Sequence, residues 1–206
     1  MVANAVVHVI DDDESVRHAL AFLLATSGIP VRVHESGDAF LETVDGLQPG
    51  CILTDIRMPG IDGLALQRRL AELGINLPVI VMTGHGDVPM AVEAMKWGAV
   101  DFIEKPFDDA VLLKAIQTAL DRYSEQGQRE YEAAQITAKV NGLSIRERQV
   151  LDGLIAGRAN KTIAHDLEIS PRTVEIHRAN VMTKMGAGSL SELVRMALLA
   201  GLIPPK

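Results

Sequence analysis

Over the first 120 residues, short apolar runs alternate with amphipathic stretches, and the alternation predicts five strand–helix pairs. The runs at 5–10, 31–34, 51–54, 79–82 and 100–103 have the length and composition of buried strands. Helical periodicity covers 15–26, 38–45, 64–73, 88–97 and 109–123, with Gly28, Gly74 and Gly98 just past three of the ends as left-handed caps. Strands joined by helical crossovers lie parallel, so the pattern predicts a five-stranded, doubly wound α/β sheet covered on both faces.

Beyond residue 121 the stretch DRYSEQGQREYEAAQITAK holds no proline and many helix formers. The stripe Leu112, Ile116, Leu120, Tyr123 leads into it, which predicts a helical linker over 123–139 with Gly127 its weakest point. From 140 to 206 the pattern turns to helices alone. Ser144 and Glu147 have capping-box spacing and open a helix that ends near Gly157. Asn160 is placed to cap a helix over 161–167, and Ser170-Pro171 to open another that runs through Met185. Ser189 and Glu192 form a second capping-box pair before a last helix ending at Gly201. The chain is thus expected to divide into 1–122, a linker 123–139, and an all-α four-helix unit 140–206.

No apolar stretch reaches the 18 or more residues of a membrane-spanning helix. The start MVANAVVHVIDDDE has no basic segment ahead of its acids, so it does not read as a secretory signal, and the expected location is cytoplasmic, with no membrane partner. The single cysteine, Cys51, sits inside an apolar run and reads as a packed thiol. Charge is uneven. Residues 1–120 carry 8 Lys/Arg against 17 Asp/Glu, whereas 140–206 carry 9 against 6, so only the rear part has a balance that suits nucleic acid.

Ligands of open α/β sheets collect outside the carboxyl ends of the strands. Asp11 and Asp12 follow the first strand, Asp55 ends the third, Thr83 the fourth and Lys105 the fifth, which predicts that all five meet on one rim. Taken singly, each reads as well as a solvated strand end or an ordinary turn; their joint placement is what points to chemistry. Three carboxylates close together oppose joint ionisation, and Mg²⁺, a hard cation that takes oxygen ligands, would resolve the conflict together with the Lys105 ammonium. A carboxylate so placed can attack a phosphoryl group, which makes Asp55 the candidate acceptor and Thr83 a candidate partner for the new oxygens.

Through VIDDDESV, LTDIRMPGIDGL and VMTGHGDVPMAVEAMKWGAVDFIEKPF, residues 5–122 resemble the receiver domain of bacterial two-component response regulators. The resemblance implies a CheY/flavodoxin-like fold, Asp55 as phospho-acceptor, and a metal site of Asp11, Asp12, Asp55 and the backbone carbonyl of Arg57. It also implies Thr83, Phe102 and Lys105 as switch residues. Ser15 and Trp97 depart from the usual pattern, away from the acids. The rear part resembles the LuxR/NarL-type helix-turn-helix, through LSIRERQVLDGLIAGRANKTIAHDLEISPRTVEIHRANVMTKM. It departs at Gly186 and Gly188, where relatives often carry basic residues. The pair of halves is similar to regulators of nitrogen-fixation genes, which implies a sensor histidine kinase of the haem-based oxygen-sensing kind, promoter DNA and RNA polymerase as partners, with a homodimer formed on phosphorylation.

On the helix opened by Ser170, Val174, Ile176 or His177, Val181 and Met185 are expected to face the bundle. Arg172, Thr173, Glu175, Arg178, Ala179 and Asn180 form the opposite face and would enter the major groove, with Lys161 and Lys184 placed for phosphates. His177 reads as a packed or phosphate-contacting residue rather than a metal ligand. Two rival functions, an aspartyl phosphohydrolase and a constitutive partner-binding receiver, compete with this one. Haloacid-dehalogenase-type phosphohydrolases carry a second acid two residues after the aspartyl nucleophile, and here that position is Arg57. A receiver that binds partners constitutively has no need of an intact acid site. The expected function is therefore a phosphorylation-gated transcription regulator, not an enzyme beyond slow self-dephosphorylation.

Overall fold

The computed structural model describes residues 5–84 and 88–203. Within the phrases quoted above, His85, Gly86 and Asp87 lie outside the described residues, as do the first four and last three positions. The chain divides into two compact units, 1–125 and 126–206.

In the first unit, β1 (Val6–Ile10), β2 (Val31–His34), β3 (Gly50–Asp55), β4 (Val79–Thr83) and β5 (Asp101–Glu104) form one parallel sheet in the order β2-β1-β3-β4-β5. Successive side chains of a strand point to opposite faces, so each interior strand feeds two cores. Val7, Val9, Cys51, Leu53, Ile80 and Met82 pack with α1 (Glu14–Thr26) and α5 (Asp109–Asn141) through Leu20, Leu24, Leu112 and Ile116. Ile10, Ile52, Val79 and Val81 pack on the other face with Phe40 of α2 (Gly37–Leu41), Leu66 and Leu70 of α3 (Gly63–Glu72) and Ala94 of α4 (Val88–Lys96). Burial lifts the Cys51 thiol to about 12, as fits a packed cysteine.

One expected helix is shorter than its pattern. The stretch 38–45 splits into α2 and a single 3-10 turn at Val44–Gly46, because Thr43 caps the break by donating to the Phe40 carbonyl at 2.7 Å. At its other end α2 begins on Ser36, whose hydroxyl accepts from the Ala39 amide. The α5 helix continues unbroken through Gly127 to Asn141.

The second unit packs α6 (Ile145–Ile155), α7 (Asn160–Asp166), α8 (Pro171–Met185) and α9 (Leu190–Leu199) around Val150, Leu151, Ile163, Val174, Val181 and Leu193, joined by Ile136 and Val140 from the end of α5. The Ser144–Glu147 capping box forms with both reciprocal bonds. Two caps differ from expectation. Asn160 is the first helical residue of α7 and Ala159 the cap, with no side-chain bond. Ser189 caps α9 by accepting from the Glu192 amide, but the Glu192 carboxylate accepts from Gly188 instead of reaching back to Ser189. A Cβ on Gly153 would lie 2.7 Å from the Ile163 side chain, so the close approach of α6 to α7 requires glycine.

Candidate functional site

The carboxyl edge of the sheet gathers the first group of residues. Asp11 follows β1, Asp55 is the last residue of β3, and Lys105 follows β5. The Lys105 ammonium donates to both acids, at 2.7 Å to Asp11 Oδ2 and 2.6 Å to Asp55 Oδ1. The second Asp55 oxygen accepts from the Arg57 amide at 2.9 Å, and Asp11 Oδ1 accepts from the Asp13 amide at 2.9 Å. Both carboxylates are therefore aimed at one point and fixed from behind by backbone donors.

Burial pushes the Asp55 carboxyl above its ordinary value, and the hydrogen bond and charge of Lys105 with the Arg57 amide only partly offset it. Burial alone would lower Lys105, but its bonds to Asp11 and Asp55 and their two charges prevail and raise it. One ammonium thus faces two carboxylates, and the site retains an excess of negative charge.

Asp12 stands apart. Its side chain is exposed, at the bend that follows β1, while that of Asp11 is buried. Among the described residues, no three His, Cys, Asp or Glu side chains are grouped so as to hold a metal ion. The expected triad of carboxylates is a converged pair, with Asp12 as an exposed neighbour. That pair still fits Mg²⁺, which is held by one or two carboxylates and keeps its remaining positions for water and phosphate oxygens. Thr83 is buried at the end of β4, and its hydroxyl donates to the Gly84 carbonyl at 3.2 Å, not to Asp55. The Lys105 amide donates to the Thr83 carbonyl at 2.8 Å, which ties the lysine's strand to the threonine's. Phe102, on β5, is 44% exposed.

Three supporting residues escaped the sequence. The Arg17 guanidinium of α1 donates to the Asp11 carbonyl at 2.7 Å and fixes that backbone. Asp13 caps α1 by accepting from Ser15 and Val16. A Cβ on Gly63 would fall 2.5 Å from the Asp55 carbonyl oxygen, so the start of α3 can press against β3 only because that residue is glycine. The spacing of IDGL after MPG was the available signal, yet only the return of α3 onto the strand gives it meaning.

In the second unit, Arg172, Glu175, Ala179 and Asn180 are exposed along α8, with Thr173 and Arg178 half-buried at its margins. Arg172 donates to Glu175 at 3.3 Å, and the Thr173 hydroxyl lies 2.8 Å from that of Ser170 at the helix start. Lys161 is exposed on α7. Lys184 is engaged within the unit: its ammonium donates to buried Glu147 at 2.7 Å. That bond and the Ser144 amide hold the Glu147 carboxyl down to about 2. Of the two alternatives for the inward position, His177 is half-buried with its Nδ1 buried and unbonded, while Ile176 is exposed. Helical geometry explains the outcome: at 100° per residue Ile176 lies far from the Val174–Val181 side that forms the core.

Residues 7–117 match the family described as the response regulator receiver domain, and residues 141–197 match the bacterial regulatory proteins of the luxR family. The transcriptional regulatory protein FixJ of Azorhizobium caulinodans is 61% identical over 96% of this chain and 94% of its own. FixJ of Rhizobium meliloti is 54% identical over 96% of this chain and 97% of its own. Among solved structures, full-length FixJ from B. japonicum shares 51% identity and a TM-score of 0.62, covering 98% of this chain and 99% of that one. The response regulator StyR shares 40% identity and a TM-score of 0.78, over 95% and 99%. The chain belongs to the two-component response regulators that join a receiver domain to a LuxR-type helix-turn-helix DNA-binding domain, and it is a homologue of FixJ.

Proposed function

We propose that this chain is a phosphorylation-gated transcription regulator in which Asp55 accepts a phosphoryl group from a sensor histidine kinase. The observation that supports this reading is the shared ammonium: Lys105 holds Asp11 and Asp55 at 2.7 and 2.6 Å, so two buried acids face one cation at the open edge of the sheet. In this reading, residues 1–122 form the phospho-acceptor domain, 123–139 the linker and 140–206 the DNA-binding domain.

The Asp55 oxygen that meets Lys105 attacks the phosphorus, and the kinase imidazole leaves. Lys105 stabilises the charge that spreads over the phosphoryl oxygens, while the Arg57 amide keeps the second Asp55 oxygen aimed. Asp11, Asp55 and the Arg57 carbonyl, with Asp12 at the rim, would hold Mg²⁺, which supplies charge neutralisation for the same oxygens. Thr83 exchanges its bond to Gly84 for one to the phosphoryl group, and Phe102, on the adjacent strand, leaves its half-exposed position. The face around α4, β5 and α5 then pairs two copies, and two α8 helices address two half-sites of promoter DNA.

The reading extends, by similarity to the regulators named FixJ, to genes of nitrogen fixation as targets, with a haem-based oxygen-sensing kinase upstream and activation through RNA polymerase. The protein acts in the cytoplasm. No helix among the described residues is long and apolar enough to cross a membrane. The test treats wild type and Asp55→Asn with a small phosphodonor and Mg²⁺ and measures dimer mass and promoter-fragment affinity. Wild type dimerises and binds more tightly while Asp55→Asn does neither; a wild type unchanged by the donor overturns the reading.

A further inference from the structure

The outer face of α8 carries one residue that neither packing nor helix propensity accounts for. Ile176 is 53% exposed, although Val174, Val181 and Met185 already fill the core side of the helix and are fully buried. A β-branched side chain is a poor choice for an exposed helical position, where Ala, Glu, Lys or Arg would be favoured. A single exposed isoleucine is ordinary on a protein surface, but this one has a defined setting. At 100° per residue, Arg172, Ile176, Ala179 and Thr183 form one line along α8, all exposed, with Glu175 and Asn180 flanking it. Ile176 stands at its centre, and the methyl of Ala179 lies one turn on. The middle of a face that should be polar is apolar.

The geometry points to Ile176 as a reader of thymine: its side chain, with the Ala179 methyl, packs on the C5-methyl group of a thymine in the major groove and makes that base preferred at one position of each half-site. The major groove presents one apolar group, the thymine methyl, and the other base edges there present hydrogen-bonding groups. An aliphatic side chain gains nothing from those edges and leaves them without partners, so it discriminates for thymine and against the other bases. The neighbours suit such a role. Arg172 and Asn180 carry the fork and the amide that pair with guanine and adenine edges, and they bracket Ile176 on the same face. Lys184, one of the cations expected to bind phosphate, is engaged with Glu147, which leaves the face more dependent on base contacts.

This inference rests on the DNA-binding role of α8, and its test separates the two. Duplexes are selected from a random-sequence library by the full-length wild type, with and without a small phosphodonor and Mg²⁺. They are then resynthesised with each thymine in turn replaced by deoxyuridine, which removes the methyl and leaves every hydrogen-bonding group in place. At one thymine per half-site, wild type loses about fourfold in affinity, the worth of one buried methyl-sized group, and about sixteenfold when both half-sites are changed. Ile176→Ala binds the thymine duplex more weakly by about the same factors and is indifferent to the replacement, while Ile176→Val retains part of the sensitivity. Equal losses in wild type and Ile176→Ala overturn the assignment, as does a wild type that enriches duplexes but is indifferent to every replacement; a wild type that enriches no duplex overturns the DNA-binding role of α8 and the assignment with it. An affinity that the phosphodonor does not change refutes the gating mechanism and leaves the methyl comparison standing, because that comparison is made between duplexes at one state of the protein.

Discussion

Asp55 with Lys105 and Glu147 with Lys184 are built from the same groups, a buried carboxylate and a lysine ammonium 2.6 and 2.7 Å away, yet their carboxyls are displaced in opposite directions. Glu147 lies at the foot of α6, where the Ser144 amide of the capping box adds a second donor, and its proton is held to about 2. Asp55 shares its ammonium with Asp11, and burial raises it above the ordinary value. The difference is one of stoichiometry. One lysine for one acid with an added amide gives a locked structural clamp between α6 and α8. One lysine for two buried acids leaves a surplus negative charge that a further cation or a proton can relieve.

The largest effect should come from removing the shared cation. Lys105→Met leaves Asp11 and Asp55 facing each other without it and should cost about 3 kcal/mol in urea unfolding near neutral pH. Its pH dependence carries the sign. Two buried acids without their lysine take up protons more readily when folded than when unfolded, so the variant should regain stability as pH falls toward 5. A loss that does not recover on acidification would show that the lysine acts by packing. In wild type the raised Lys105 contributes stability that is complete below its ordinary value of 10.5 and is lost as pH rises beyond it.

The clamp should respond in the other sense. Lys184→Met should lower the melting temperature of the second unit by a few degrees and leave the phosphodonor response of Asp55 intact. Because the folded Glu147 carboxyl lies near 2 against an ordinary 4.5, its contribution is present above 4.5 and fades as pH falls between those values. Calorimetry across that range checks it, and a variant whose acid profile matches wild type would dissolve the clamp.

A smaller effect belongs to a third pair, buried His8 and half-buried His34, on the strands beside Asp11. His8 Nε2 lies 3.2 Å from the Gln48 carbonyl, which can only accept, so Nδ1 is the acceptor toward His34 Nε2 at 3.4 Å. Burial and the charges of His8 and Arg32 lower His34 to about 4 from 6.5. Folding therefore disfavours protonation: this contribution is complete above 6.5 and is lost as pH falls toward 4. Phe40 closes the cluster edge-on to both rings. His34→Phe should flatten the melting-temperature profile between those pH values, and an unchanged slope would assign the acid sensitivity elsewhere.

What could be read from the sequence follows the range of the interactions. Interior strands are buried on both faces, so Cys51–Ile52–Leu53 and Val79–Ile80–Val81 announce themselves as apolar runs whatever surrounds them. The Ser144–Glu147 box and the Ser170-Pro171 start are local and form as spelled. The contacts that escaped link distant positions. Lys184 meets Glu147 across 37 residues, and nothing near either one signals it. Gly63 matters through a backbone approach to Asp55 that only the folded return of α3 creates. Asp13 lies within the DDDE run and Arg17 three residues after it, where abundant charge hid which group caps, which bonds a carbonyl and which faces solvent. The acid site was legible as residues on one rim, but not as a pair with an exposed neighbour, because strand order fixes the rim and side-chain direction decides who meets.

If the lysine-shared pair makes Asp55 the acceptor, the acyl phosphate must form there. The direct measurement exposes the full-length protein to a small phosphodonor and Mg²⁺, traps any acyl phosphate by borohydride reduction, and maps the product by peptide mass spectrometry. Reduction is expected at Asp55 in wild type, is lost in Asp55→Asn, and weakens by about two orders of magnitude, about 3 kcal/mol of transition-state stabilisation, in Lys105→Met. A wild type that yields no reduced residue, or one reduced at Asp11 or Asp12 with Asp55 untouched, would contradict it.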